Sequence, residues 1–174
     1  MKSTGIVRRI DDLGRIVIPK EIRKTLKIKE NESLEVFINN EEIILKKFSN
    51  MNDMEKTFDN YVSVLKDITG NSVIITDREK IVACPDNKKD ELLKKEISEY
   101  LDDMLNIRNP ILSNDMRGIN LIEDLVINNN YYIIPMLVNS DVVGLLIMLS
   151  NKEITDSDKM SLEIASKILI NCIE

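Results

Sequence analysis

Over the first fifty residues, apolar and polar positions alternate in runs too short for any one large element. Residues 3–10 and 15–18 read as two strands around a turn at Asp11-Asp12-Leu13-Gly14. Pro19 then opens a helix where its missing N–H costs nothing. That helix runs over residues 20–26, with Ile22 and Leu26 four apart on an apolar side and Arg23 and Lys24 projecting from another. The Glu-Asn-Glu at 30–32 breaks the pattern, and residues 33–38 and 42–47 make two further strands joined through Asn39-Asn40-Glu41. Four short strands and a short helix cannot hide the apolar side chains present, and no cysteine staples them. The segment is therefore expected to be an obligate dimer, with interleaved strands and its charges repeated about a twofold axis.

Past a short polar junction at 49–53, the pattern changes to longer elements. Met54, Phe58, Tyr61, Val62, Leu65 and Ile68 follow helical spacing and stop before Gly70, a C-terminal cap. Residues 73–76 and 81–84 are apolar strands around Asp77-Arg78-Glu79-Lys80, a hairpin. Leu93, Ile97, Leu101 and Leu105 repeat every four positions and predict one helix, followed by an irregular stretch over 109–130. Residues 131–138 and 142–150 are strongly apolar strands about an Asn-Ser-Asp turn, and Pro135 points to an edge or a bulge in the first. A last helix over 156–173, capped by Thr155 or Asp156, is apolar on more than one face. A helix of that kind buries one face in its own domain and another against a partner. The order α-β-β-α-loop-β-β-α predicts an α+β domain, a central antiparallel sheet flanked by helices, GAF-like with PAS-like as the alternative.

Charge separates the same two segments, 1–50 and 51–174. The chain of 174 residues carries a formal −6, yet residues 1–50 hold eleven Lys+Arg against eight Asp+Glu, a net of +3. Residues 51–174 carry a net of −9, and residues 1–29 alone a net of +6. Screening acts over roughly 8 Å at physiological salt, so an acidic domain need not cancel a local basic face.

Histidine is absent, which excludes a Ser-His-Asp or Cys-His nucleophile pair and any His-ligated metal. No GxxxxGK[ST] or GxGxxG loop is present. Cys84 and Cys172 are too few and too distant for a metal cage or disulfide framework, and both read as small buried hydrophobes. The acids Asp77 and Glu79 read as hairpin-turn residues. No catalytic residue, metal or cofactor is expected, nor a membrane helix or signal peptide, and the expected location is the cytoplasm.

The candidate binding residues are Arg8, Arg9, Arg15, Arg23 and Lys24, which lie within seventeen positions. Singly, each has a plain alternative: Arg23 could pair with Glu21 or Glu30, and only one of Arg8 and Arg9 would share a strand face with Arg15. Lys46 and Lys47 read as solvated strand-end charges. Together the five favour phosphate contact, because the planar guanidinium binds phosphate or a guanine edge in bidentate fashion.

The stretch TGIVRRIDDLGRIVIPKEIRKTL, and within it LGRIVIPKEIR, resembles the swapped-hairpin DNA-binding domain of the AbrB family of transition-state regulators. The resemblance implies two chains exchanging β-hairpins into one dimeric unit. It also implies DNA contact by Arg8, Arg15, Arg23 and the basic residue at Lys24, with loose, A·T-rich, shape-dependent recognition. Lysine at 24, where the family often has arginine, keeps the charge and loses the fork.

With NSVIITDREKIVAC and the element order that follows, the whole chain resembles the stage V sporulation protein T family, an AbrB-type head followed by a GAF-type domain. That implies a regulator of forespore genes, repressing some and activating others, assembled as a tetramer through GAF-domain helices. GAF domains also bind small molecules, so an effector site and a filled core used only for oligomerisation stand as equal readings; no pocket residue is singled out. The competing function is an antitoxin, in which the same head precedes an acidic tail that folds on a toxin.

Overall fold

The computed structural model describes residues 5–28, 30, 33–40, 42–47 and 54–173. The chain divides into two units, Met1–Phe48 and Ser49–Glu174. The junction expected at 49–53 lies outside the described residues, as do Glu41 of the second turn and the first two positions of the 3–10 segment.

In the first unit, α1 (Lys20–Thr25) begins after Pro19 as its N-cap, and the Arg23 amide donates to the Pro19 carbonyl at 2.9 Å. Strands β1 (Leu34–Asn39) and β2 (Glu42–Lys47) pair antiparallel, from Leu34 opposite Lys47 to Asn39 opposite Glu42. The Lys46 ammonium lies 4.8 Å from the centre of the Phe37 ring, so it is held by a cation–π contact rather than merely solvated.

Of the two strands expected over 3–10 and 15–18, the described residues 5–10 and 15–18 form neither. Asp11 N–H donates to Arg15 C=O at 3.1 Å and Gly14 N–H to Asp11 C=O at 2.9 Å, which closes the turn. Beyond it, the described residues offer these arms no ladder. Alternation supplies a strand's side-chain pattern, but a strand also needs a backbone partner. The exposed apolar side chains tell the same story: Val7 is 87% exposed, Ile38 82%, Leu13 and Val17 74% each. Pro19 is the only buried residue among the described residues of this unit.

In the second unit, strands β3 (Ser72–Thr76), β4 (Ile81–Ala83), β5 (Ile111–Ser113), β8 (Asn130–Val138) and β9 (Asp141–Ser150) form one antiparallel sheet. Their spatial order is β4-β3-β9-β8-β5. The sheet is covered on both sides, which is why its strands read as continuous apolar runs rather than as half-buried alternations. Val73, Ile75, Tyr132, Ile134, Leu146 and Met148 face one core with Phe58, Val62 and Leu65 of α2 (Glu55–Thr69) and Leu162, Ala165 and Leu169 of α5 (Asp156–Ile173). Ile74, Tyr131, Ile133, Leu145, Ile147 and Leu149 face a second core.

That second core is closed by α3 (Lys89–Leu92), α4 (Glu99–Met104) and the hairpin β6 (Gly118–Ile122) and β7 (Leu125–Asn128), through Leu92, Leu101, Ile119 and Leu121. Two expectations fail here. The single helix through Leu93, Ile97, Leu101 and Leu105 is broken: residues 93–94 form a turn in which Lys94 has φ +64°, and Glu96 makes an antiparallel bridge with Lys80. The backbone of residues 94–97 is used to cover the edge of β4, with Ile81 N–H donating to Lys95 C=O at 3.0 Å and Lys94 N–H to Ile81 C=O at 2.8 Å. A new helix then starts at Ser98, whose Oγ accepts the Leu101 amide. The irregular stretch over 109–130 holds β5, which pairs with β8, and β6 and β7, which pair with each other, while Ile119 and Leu121 are buried.

The remaining elements form as their sequences dictate. Gly70 caps α2 in the left-handed region (φ +71°), its N–H donating to Lys66 C=O. Asn139 and Ser140 both take positive φ in the β8–β9 turn. Pro135 lies past Ile133, the last residue that β5 covers, so its missing N–H breaks no ladder on that side. Thr155 and Asp158 cap α5 reciprocally, Asp158 N–H to Thr155 Oγ1 at 3.2 Å and Thr155 N–H to Asp158 Oδ2 at 2.9 Å. Along α5, Met160, Ile164 and Ile168 remain exposed opposite the buried stripe.

Candidate nucleic-acid interface

Five cations were singled out, and the local structure treats them differently. Arg15 follows Gly14, whose φ of +75° is a left-handed turn conformation that a Cβ would strain. Asp11 organises that turn. Its Oδ1 accepts the Leu13 amide at 3.0 Å and the Arg15 amide at 2.8 Å, while its Oδ2 accepts Arg15 Nε at 2.7 Å. The Arg15 side chain stays 69% exposed despite this bond. The Arg15 amide first, and then its guanidinium, hold the Asp11 carboxyl below the usual carboxylate range. Sequence reading took Asp11 as a turn residue and missed its grip on Arg15; the signal available was the Asp-x-x-Gly-Arg spacing.

Arg23 and Lys24 are adjacent in the last turn of α1, where cations also favour the carbonyl end of the helix. Lys24 is exposed and Arg23 half-buried. Arg23 Nε is sealed from solvent with no hydrogen-bond partner among the described residues, so neither Glu21 nor Glu30 takes it up there. Buried donors are almost always satisfied, which makes this one notable in a single chain. Arg8 and Arg9 are both exposed in the arm before the turn, and no ladder assigns them to faces.

The described residues of the second unit offer no comparable chemistry. Asp77 Oδ1 accepts the Glu79 and Lys80 amides at 2.7 Å each, so it builds the hairpin turn. Burial pushes its carboxyl above the usual range. Cys84 is buried, and that burial pushes its thiol up to about 11, away from the reactive thiolate. Cys172 is exposed, contrary to the expectation that both cysteines lie inside. Among the described residues no group of three or more Cys, Asp or Glu could hold a metal ion. None of the described helices is long and apolar enough to cross a membrane.

The profile of a family described as "Stage V sporulation protein T C-terminal, transcription factor" matches residues 53–174. The chain belongs to the stage V sporulation protein T family. Stage V sporulation protein T of Bacillus subtilis (strain 168) is 40% identical over 158 residues, covering 88% of this chain and 87% of that protein. The transition state regulatory protein AbrB of the same organism is 60% identical over 48 residues, 28% of this chain and 50% of AbrB. Residues 7–50 also match a profile described as "Antidote-toxin recognition MazE, bacterial antitoxin". The cofactor-binding GAF domain of the nutrient sensor CodY from Clostridium difficile superposes with a TM-score of 0.51 at 15% identity, covering 68% of this chain and 90% of that one. That likeness concerns the fold alone: the second unit is a GAF-type domain within an α+β chain.

Proposed function

We propose that this chain is a DNA-binding transcription regulator of sporulation (forespore) genes, repressing some and activating others. Its head, residues 1–50, pairs with a second copy by exchanging hairpins and contacts A·T-rich duplex through Arg8, Arg9, Arg15, Arg23 and Lys24. The carrying observation is the head itself, which presents exposed arginines on a fold that leaves Val7, Leu13, Val17 and Ile38 in solvent. Each such side chain gains about 1.5–3 kcal/mol on full burial, so one copy alone forfeits a large stabilisation that two recover. Partner strands would also supply the ladders missing from both arms.

Residues 51–174 set the oligomeric state. The exposed stripe of Met160, Ile164 and Ile168 on α5, with Val64 and Ile68 on α2, suits a second self-association and hence a tetramer. The face opposite α2 and α5 is filled by the chain's own Leu92, Leu101, Ile119 and Leu121, all fully buried. That supports assembly over small-molecule sensing. A metabolite that raised the melting temperature of the full chain and changed its DNA affinity would reverse this preference.

The antitoxin reading is not favoured. It requires a tail that folds only on a toxin, whereas residues 54–173 carry two cores of their own. Nuclease footprinting by the full chain on DNA upstream of sporulation genes tests the regulator reading. Discrete protected sites are expected, and uniform cleavage at saturating protein would contradict it.

A further inference from the structure

Among the described residues, the Arg15 side chain is held at one atom, Nε, and makes no other hydrogen bond. A guanidinium has five N–H donors. Asp11 Oδ2 takes the Nε proton at 2.7 Å, which leaves the two terminal nitrogens, and their four donors, to project from a side chain that is 69% exposed. The carboxylate that holds it is itself fixed by the Leu13 and Arg15 amides, within a turn closed by two backbone bonds. The guanidinium is therefore tied through this carboxylate to the turn.

An exposed ion pair adds little to folding stability, because solvent screens it. Its effect on binding differs in kind. A free arginine can swing to meet a phosphate on any duplex. A clamped one offers its fork along a single direction, rewarding only DNA whose groove or backbone presents an acceptor there. Asp11 also brings a negative charge beside the interface, opposing loose contact with any phosphate.

We propose that Asp11 is a positioning residue, which aims the Arg15 fork and so sets how sharply the protein discriminates between DNA sequences, at some cost in general affinity. The inference rests on the DNA-binding reading given above.

The test uses the full chain as wild type, Asp11→Asn, Arg15→Ala and the double variant. Asparagine keeps an oxygen for the Leu13 and Arg15 amides and so preserves the turn, but it turns a donor toward Arg15 Nε in place of Oδ2. Each protein selects duplexes from a randomised pool, and its affinity for the wild-type-selected site is then compared with that for a scrambled one. The expected result is that Asp11→Asn keeps its melting temperature and binds the scrambled duplex more tightly. Its site-to-scrambled ratio should shrink by roughly threefold or more, and the change should vanish on the Arg15→Ala background, the mark of direct coupling.

A ratio unchanged by Asp11→Asn would overturn the inference, as would an equal change without Arg15. Wild-type protein that binds DNA yet enriches no sequence would overturn it as well, since there would be no discrimination to set. Wild-type protein that binds no duplex at all would instead remove the DNA-binding reading itself.

Discussion

Gly144 of β9 lies so close to the Thr76 carbonyl that a Cβ on it would stand 2.0 Å from that oxygen. Its φ is unremarkable for any residue, so the requirement is spatial rather than conformational. Beside it, the Leu145 amide donates to Thr76 Oγ1 at 3.1 Å, binding the end of β3 to β9. Gly144→Ala should force these two central strands apart and cost about 1–3 kcal/mol. In urea unfolding of the full chain, a lower midpoint with an unchanged slope for the second unit's transition is the expected result.

The Tyr132 hydroxyl donates to Glu163 Oε1 at 2.7 Å, tying β8 to α5. Burial, reinforced by that carboxylate, pushes the Tyr132 phenol up to about 12. A raised folded-state value means a stabilising contribution that is complete below about 10, where the unfolded phenol titrates. It is lost as the pH rises towards 12. Tyr132→Phe should remove one late-ionising phenol from an absorbance titration and flatten the alkaline loss of stability. Tyr100 is also pushed up to about 12, by burial and by its bond to Tyr131, so Tyr100→Phe is the control that should leave the Tyr132 step in place.

Ile38 is 82% exposed on β1 in a single copy of the chain. If two copies cover it, Ile38→Glu should weaken dimerisation at the head and make melting of the head depend more steeply on protein concentration. A head that stays dimeric at the same concentrations after this change would place Ile38 outside the interface.

On α5, Ile164 and Ile168 are exposed and four residues apart on one stripe. Ile164→Glu should convert tetramers to dimers in sedimentation without lowering the stability of residues 54–173. An unchanged mass would move the second interface elsewhere.

Legibility in the sequence followed the range of the interactions involved. α2, α5, β8 and β9 were readable because their own periodicity fixes them, and the Asn139-Ser140 turn and Gly70 cap are local chemistry. The broken helix at Lys94 was not readable. There the local four-residue repeat loses to a long-range demand, since the edge of β4 needs partners that residues 94–97 provide. β6 and β7 were missed for a similar reason: their strands are short, and Ile119 and Leu121 are explained only by the core they enter. In the head the failure ran the other way. Strands were predicted at 3–10 and 15–18 from side-chain alternation, but the described residues there join no strand ladder. As for the candidate interface, the five cations were visible by type and spacing, whereas the Asp11 clamp on Arg15 and the sealed Nε of Arg23 needed coordinates.

The most direct test of the central claim is fluorescence anisotropy on an A·T-rich duplex across a salt series, comparing the full chain, Arg15→Ala and Arg23→Ala. For a head dimer neutralising about six phosphates, log K should fall against log salt with a slope near −5. Each substitution should weaken binding and flatten that slope by about 1.8, because each removes two contacts per dimer. Binding by a folded, oligomeric full chain that showed no salt dependence, or that was untouched by both substitutions, would contradict the account.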